Sequence, residues 1–295
     1  MVAVAVVLLG ACAAVTGLGD YVLGEDPIEA GVDAAAPVPA PTSTMPVEAS
    51  APDTGCVVCD VVSAGNVIDV ATSPTAIYWI DTGNIIRTAA LDGSSPRQFL
   101  AGEAVPLAGI ELRADYVFWT AGGQLRRTPA DRDGAIDSLG DMPNVACVHF
   151  GNSRILSTVP EAGIVYTTGI DGGTGVLANG QPNVWGVDSN TPDATFFTTY
   201  DPAAGTIGSK MTGVPQDAGF TTLYTGQRGP RCMAVDEREI FWANRESGEI
   251  VRGTFDGAPM VVLASGQTLA NGVSFQAPYL YWTWAGGIRR LRVRP

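Results

Sequence analysis

Leu280-Tyr281-Trp282-Thr283 repeats the pattern of Ile240-Phe241-Trp242-Ala243, and the same Trp-centred run stands at Ile77-Tyr78-Trp79 and Val117-Phe118-Trp119. Two weaker copies, Arg154-Ile155-Leu156-Ser157 and Thr195-Phe196-Phe197, fill the gap. With Trp79, Trp119, Ser157, Phe197, Trp242 and Trp282 taken as equivalent, the chain repeats every ~40 residues, the length of one propeller blade. Each copy carries further landmarks. A short apolar run comes first, at Val67-Ile68, Gly109-Ile110, Cys147-Val148, Gly186-Val187, Cys232-Met233 and Gly272-Val273. After the Trp strand a Gly opens a third strand ending in a basic residue, as in Gly83-Asn84-Ile85-Ile86-Arg87 and Gly248-Glu249-Ile250-Val251-Arg252. Asp-Gly pairs follow at Asp92-Gly93, Asp133-Gly134, Asp171-Gly172 and Asp256-Gly257; Gly accepts positive φ there, and Asp bonds its own backbone. A last strand runs into a Gly-polar pair: Gly102-Glu103, Gly180-Gln181, Gly226-Gln227 or Gly266-Gln267. Four antiparallel strands in each repeat, six times over, predict an all-β, six-bladed β-propeller.

The last repeat reaches Pro295 before its fourth strand. Val57 stands as far ahead of Trp79 as Met260 does of Trp282, so residues 57–62 are expected to complete the sixth blade and close the ring. An open ring would leave two unpaired strand edges. The repeat resembles the YWTD-type six-bladed propellers of the low-density-lipoprotein-receptor class, and more loosely the TolB-like and gluconolactonase-like bacterial propellers. Phe118-Trp119-Thr120 and Tyr281-Trp282-Thr283 carry the resemblance, with Asp81 as the motif's terminal acid and Asn244 a near match. It covers roughly residues 57–295 and implies a way of packing blades; the motif carries no catalytic group.

Residues 1–11 are apolar and lead into Leu9-Gly10-Ala11-Cys12, which reads as a lipoprotein signal peptide with Cys12 as the lipid-accepting residue. No Lys or Arg precedes Arg87, so the basic start of such a signal is missing and the true start codon is expected elsewhere than at Met1. Residues 12–55, centred on Ala34-Ala35-Ala36-Pro37-Val38-Pro39-Ala40-Pro41, have little to bury and read as a disordered acidic tether; residues 56–295 form the propeller. Eight acids and no base lie in residues 1–60, leaving 22 acids against 17 bases in the rest. A mildly acidic propeller without a basic stripe excludes nucleic acid as a partner. Ala13 after Cys12 points to the outer membrane of a Gram-negative cell.

Of the remaining cysteines, Cys56 and Cys59 are expected to form a local bridge that fastens the closing strand. Cys147 and Cys232 occupy one position in blades three and five, where other blades have Gly109, Gly186 and Gly272. A bridge between them would cross part of the channel; a pairing of that kind and two small buried residues are both left open. The residue after the apolar one in each innermost strand forms a row: Ala71, Glu111, His149, Asp188, Ala234 and Ser274. Carboxylates and an imidazole in three consecutive blades suit a divalent cation, or acid–base work on a lactone or ester as the gluconolactonase-like resemblance implies. They equally suit hydrogen bonds to neighbouring blades. No cofactor is expected. The leading expectation is a non-catalytic module that binds or scaffolds a protein, peptide or glycan, with residues 189–193 and 213–219 as candidate recognition loops. The alternative is an extracytoplasmic metal-dependent, lactonase-like hydrolase using Glu111, His149 and Asp188.

Overall fold

The computed structural model describes residues 57–100, 102–131, 135–142, 145–151, 154–169, 173–189, 194–211 and 213–294. Cys12, Cys56 and the tether lie outside the described residues. Strand β1 (Val58–Ser63) comes first. Blade one consists of β2 (Val67–Thr72), β3 (Ala76–Asp81), β4 (Ile86–Ala90) and β5 (Arg97–Leu100). Blade two consists of β6 (Leu107–Arg113), β7 (Tyr116–Ala121), β8 (Gln124–Pro129) and β9 (Asp137–Asp141). Blade three holds β10 (Val148–Gly151), β11 (Arg154–Val159), β12 (Ile164–Gly169) and β13 (Thr174–Ala178). Blade four holds β14 (Val184–Asp188), β15 (Ala194–Thr199), β16 (Gly205–Met211) and β17 (Thr221–Gln227). Blade five holds β18 (Pro230–Val235), β19 (Glu239–Asn244), β20 (Glu249–Thr254) and β21 (Val261–Ala264). The sixth sheet has the order β1-β24-β23-β22, where β22 is Val273–Gln276, β23 Tyr279–Trp284 and β24 Gly287–Arg292.

Every sheet is a four-stranded antiparallel meander, so the all-β, six-bladed reading holds. Strand β1 pairs with β24 from Val58 opposite Leu291 to Ser63 opposite Gly287, with a bulge between Asp60 and Val62. The described turns show what Asp-Gly does. Gly93 takes φ +84°, the Asp92 carboxylate accepts the Ser94 N–H, and a Cβ at Gly93 would sit 1.9 Å from the Val61 carbonyl. Asp133, Gly134, Asp171 and Gly172 lie outside the described residues.

The core lies between blades. Tyr78, Ile80 and Phe99 of blade one pack with Ile110, Val117 and Trp119 of blade two, and the same pattern links blades five and six. All six residues at the Trp position are at most 1 % exposed, Ser157 and Phe197 included. The β1–β24 ladder places Asp60 opposite Arg289, and the Arg289 Nε donates to Asp60 at 2.7 Å. Arg290, on the other face of the strand, reaches the Leu91 carbonyl of blade one. No helix among the described residues is long and apolar enough to cross a membrane.

Candidate functional site

The six innermost strands, β2, β6, β10, β14, β18 and β22, run side by side around the axis. Their cross-strand partners establish which residues are equivalent. Ala71 faces Tyr78, Glu111 faces Phe118, His149 faces Leu156, Asp188 faces Phe196, Ala234 faces Phe241 and Ser274 faces Tyr281. The row deduced from sequence is therefore one layer of the channel.

Within that layer the His149 Nδ1 lies 3.1 Å from Glu111 Oε2. Glu111 Oε1 accepts the Leu112 N–H at 2.9 Å. Asp188 is 8 % exposed and spans two blades: it accepts the Ser189 N–H at 2.6 Å and, from blade five, the Val235 N–H at 2.7 Å. On the far side of the ring Thr72 and Ser274 join their hydroxyls at 2.8 Å. The layer floors a funnel of about 690 Å³ at the end of the channel where the inner strands finish, with Phe150, Phe275, Arg113, Arg238 and Asp236 around its mouth.

A fourth titratable group, Asp69, lies one layer deeper and is absent from the row read in the sequence. Sequence pattern places the apolar pair of blade one at Val67-Ile68; the register shows that the equivalent of Gly109-Ile110 is Asp69-Val70, since Val70 faces Trp79 as Ile110 faces Trp119. The bulge between Val67 and Asp69 recurs in the inner strands of blades two, four and five, so it preserves the equivalence. Only the constant spacing back from the Trp could have revealed an acid where other blades carry Gly or Cys. Asp69 is 2 % exposed, accepts the N–H groups of Val70 and, across the blade boundary, Ile110, and occupies the space a side chain at Gly272 would fill.

These four groups set one another's charge. Burial alone would lower the His149 imidazole, but the Glu111 hydrogen bond and the charges of Asp188, Glu111 and Asp69 outweigh it and raise the pKa to about 9. Burial raises Asp69 to about 7, against the opposing pull of His149 and two backbone N–H groups. Burial likewise raises Asp188 to about 6, again opposed by His149. At neutral pH the imidazole is a cation, and Asp69 stands near its midpoint.

The choice left open for Cys147 and Cys232 is decided in the same deep layer. Cys147 and Cys232 are not separate small residues; they are disulfide-bonded, with Cα atoms 6.0 Å apart. Gly186 of the intervening blade makes this feasible, because a Cβ there would lie 3.1 Å from the Cys232 Cα. A missing side chain lets blades three and five meet over blade four. Cys59 is also disulfide-bonded, while Cys56, the other half of the expected local bridge, lies outside the described residues. Among the described residues no group of three or more His, Cys, Asp or Glu is arranged to hold a metal ion. The loop at residues 213–219 lines neither mouth of the channel. Lys210, the only lysine, donates to the Pro215 and Ala218 carbonyls and pins it. Of the other candidate loop only Ser189 is described.

No family model matches the sequence, and a search of the curated proteins finds no match. Solved structures do match in fold. The propeller is similar to that in the nidogen/laminin complex, with a TM-score of 0.62 and 15% identity over 71% of this chain and 85% of that one. A protein assigned as a gluconolactonase gives 0.65 and 11% over 81% and 92%, and the calcium-binding protein regucalcin from Agrobacterium tumefaciens gives 0.63 and 13% over 79% and 91%. The shared feature is the six-bladed β-propeller. At these identities it says nothing of activity.

Proposed function

We propose that this chain is an exported, lipid-anchored recognition module whose funnel receives a protein or peptide partner and performs no chemistry on it. The observation that carries this reading is that the funnel floor is already committed. Asp188 in the floor, and Asp69 one layer beneath it, each accept two backbone N–H groups, one from the next blade, and Glu111 accepts from Leu112 and His149. Such groups hold blades in register and leave few lone pairs for a substrate. Around the mouth Glu111, Asp188, Asp236 and Glu237 balance Arg113, His149, Arg238 and Arg294, with Phe150 and Phe275 between them. Mixed charge over apolar surface suits a peptide segment better than an ion of one sign. That a similar propeller occurs in the nidogen/laminin complex supports a protein partner for this architecture. Export is supported by the Cys147–Cys232 bridge, since disulfides persist in oxidising compartments.

The hydrolase alternative fits less well. A protonated imidazole can neither take a proton nor ligate a cation, and His149 holds its proton to a pH of about 9. A displayed library of short peptides, selected on the purified full-length chain, is expected to yield binders that lose about tenfold or more in affinity in Arg238→Glu. The melting temperature should not change. The reading is overturned if no selected peptide responds to Arg238→Glu. It is equally overturned if gluconolactone is hydrolysed only with added calcium or zinc and that activity is lost in Glu111→Gln.

A further inference from the structure

The channel has a second mouth, at the end where the inner strands begin. There Trp185, Arg231, Leu269, Asn271, Arg245 and Trp284 line a cleft of about 400 Å³, and no acidic residue is among its walls. The Cys147–Cys232 bridge and Asp69 stand one residue further along the inner strands, between this cleft and the funnel floor. The two mouths are therefore separate sites.

The cleft is built around two guanidinium groups. Arg231 lies in the corner of two aromatic rings: its Cζ is 3.6 Å from the Trp185 ring centroid and 4.2 Å from that of Tyr200, and the rings are themselves tilted at 47° with centroids 5.7 Å apart. Tyr200 is held in turn by its hydroxyl, which donates to Glu246 at 2.9 Å. Stacking of this kind fixes the plane of a guanidinium and leaves its edge free for an acceptor. The buried Arg231 Nε accordingly has no hydrogen-bond partner among the described residues. Arg289 lies 3.4 Å over the Trp284 ring on the opposite wall and so braces the second indole. Arg245 is near enough to Arg231 to repel it; burial first, and this repulsion second, hold the Arg231 pKa below the usual guanidinium value, against the opposing pull of Tyr200 and of Glu246, an acid that lies outside the cleft's lining. Arg245 forms no ion pair with any described residue. Asn271 is already spent on the Ile68 carbonyl at 2.7 Å. Two cations that face one cleft without an acid between them, flanked by indoles and aliphatic side chains, are matched by an anion with an apolar body.

We propose that this second mouth is a binding site for a small organic carboxylate with an aromatic or branched apolar body. Its carboxylate would bridge Arg231 and Arg245, and its body would lie between Trp185, Leu269 and Trp284. A carboxylate presents two acceptors to a guanidinium fork, which neither a neutral amide nor a spherical anion does. The volume admits a ligand of about ten non-hydrogen atoms, at the lower end of small-molecule sites.

Benzoate is the first probe, with benzamide as its neutral counterpart and acetate as the anion without a body. Titration of the full chain, followed by tryptophan fluorescence, is expected to saturate for benzoate with a Kd on the order of 1 mM. Benzamide and acetate should bind about tenfold more weakly or worse. Arg245→Gln, which breaks no stack, should abolish benzoate binding at an unchanged melting temperature, whereas Arg113→Gln at the funnel should leave it intact. Absence of saturation by benzoate, equal binding of benzamide, or unchanged binding in Arg245→Gln overturns the proposal. Arg231→Met removes the stacked cation and serves as a second variant if its melting temperature shows that it folds. Because peptide binding at the funnel is read through Arg238→Glu, failure at one mouth is distinguishable from failure at the other.

Discussion

His149 shows how one residue sets the acid–base behaviour of the channel. Its folded pKa of about 9 exceeds the free value of 6.5, so the native state keeps a proton that the unfolded chain releases. The stability this contributes is complete below the unfolded value and is lost as pH rises through the folded one. Asp69 and Asp188, at about 7 and about 6 against 3.8, also bind protons that the unfolded chain has given up, and so add a fall in stability above 3.8. All three effects have one sign. The melting temperature of the wild-type protein is expected to decline from about pH 5 to about pH 9; in His149→Gln the loss near pH 9 that belongs to the imidazole should disappear, and the losses that belong to Asp69 and Asp188, freed from its charge, should move to higher pH. A wild-type profile that rises over this range would contradict the buried, protonated imidazole. Glu111, His149 and Asp188 were legible as a row because each follows the apolar residue of its inner strand. Asp69 was not, because an acid in a position that other blades give to Gly or Cys breaks the apolar pattern and draws the eye to Val67-Ile68 instead.

At the scale of elements, the Gly-polar pair that ends most repeats proves to be a clasp on the next blade. Gln227 Oε1 accepts the Trp242 Nε1–H at 3.0 Å and the Asn244 amide at 2.9 Å. Gln267 Oε1 accepts Trp282 Nε1–H at 3.1 Å and Arg289 at 2.9 Å. The glycines before them take φ of +68° and +71°, a conformation that turns the chain from an outer strand back to the next inner one. At the entry to blade two the clasp residue is an acid, Glu103, which pairs with Arg126 at 2.9 Å, and the buried Trp119 Nε1 has no hydrogen-bond partner among the described residues. The repeat made the pair visible; its use as an acceptor for a buried indole depends on how the following blade docks. Gln267→Leu should strand two donors, one of them a buried indole, and cost about 1–3 kcal/mol in urea unfolding. A loss below about 0.5 kcal/mol, the level of an ordinary surface substitution, would show that the clasp contributes nothing.

At the scale of the whole molecule, the Cys147–Cys232 bridge links positions 85 residues apart, for which chain entropy alone amounts to about 4–5 kcal/mol. Disulfides persist in oxidising compartments, and the bridge is thus the observation that supports the proposed export and lipid anchor at Cys12. In cells that export the chain, palmitate label should be incorporated and should disappear in Cys12→Ser, and Cys147 and Cys232 should resist maleimide until reduced. An unlabelled protein with both thiols free would refute export. The repeat period, the four strands of each repeat and the all-β class follow from sequence alone, because side-chain alternation and turn chemistry are local and recur six times. The bridge across Gly186, the carboxylates that span blades and the arginine-lined second mouth do not. Each joins residues from different blades, whose distance depends on how the ring closes, and no spacing within a single repeat records that distance.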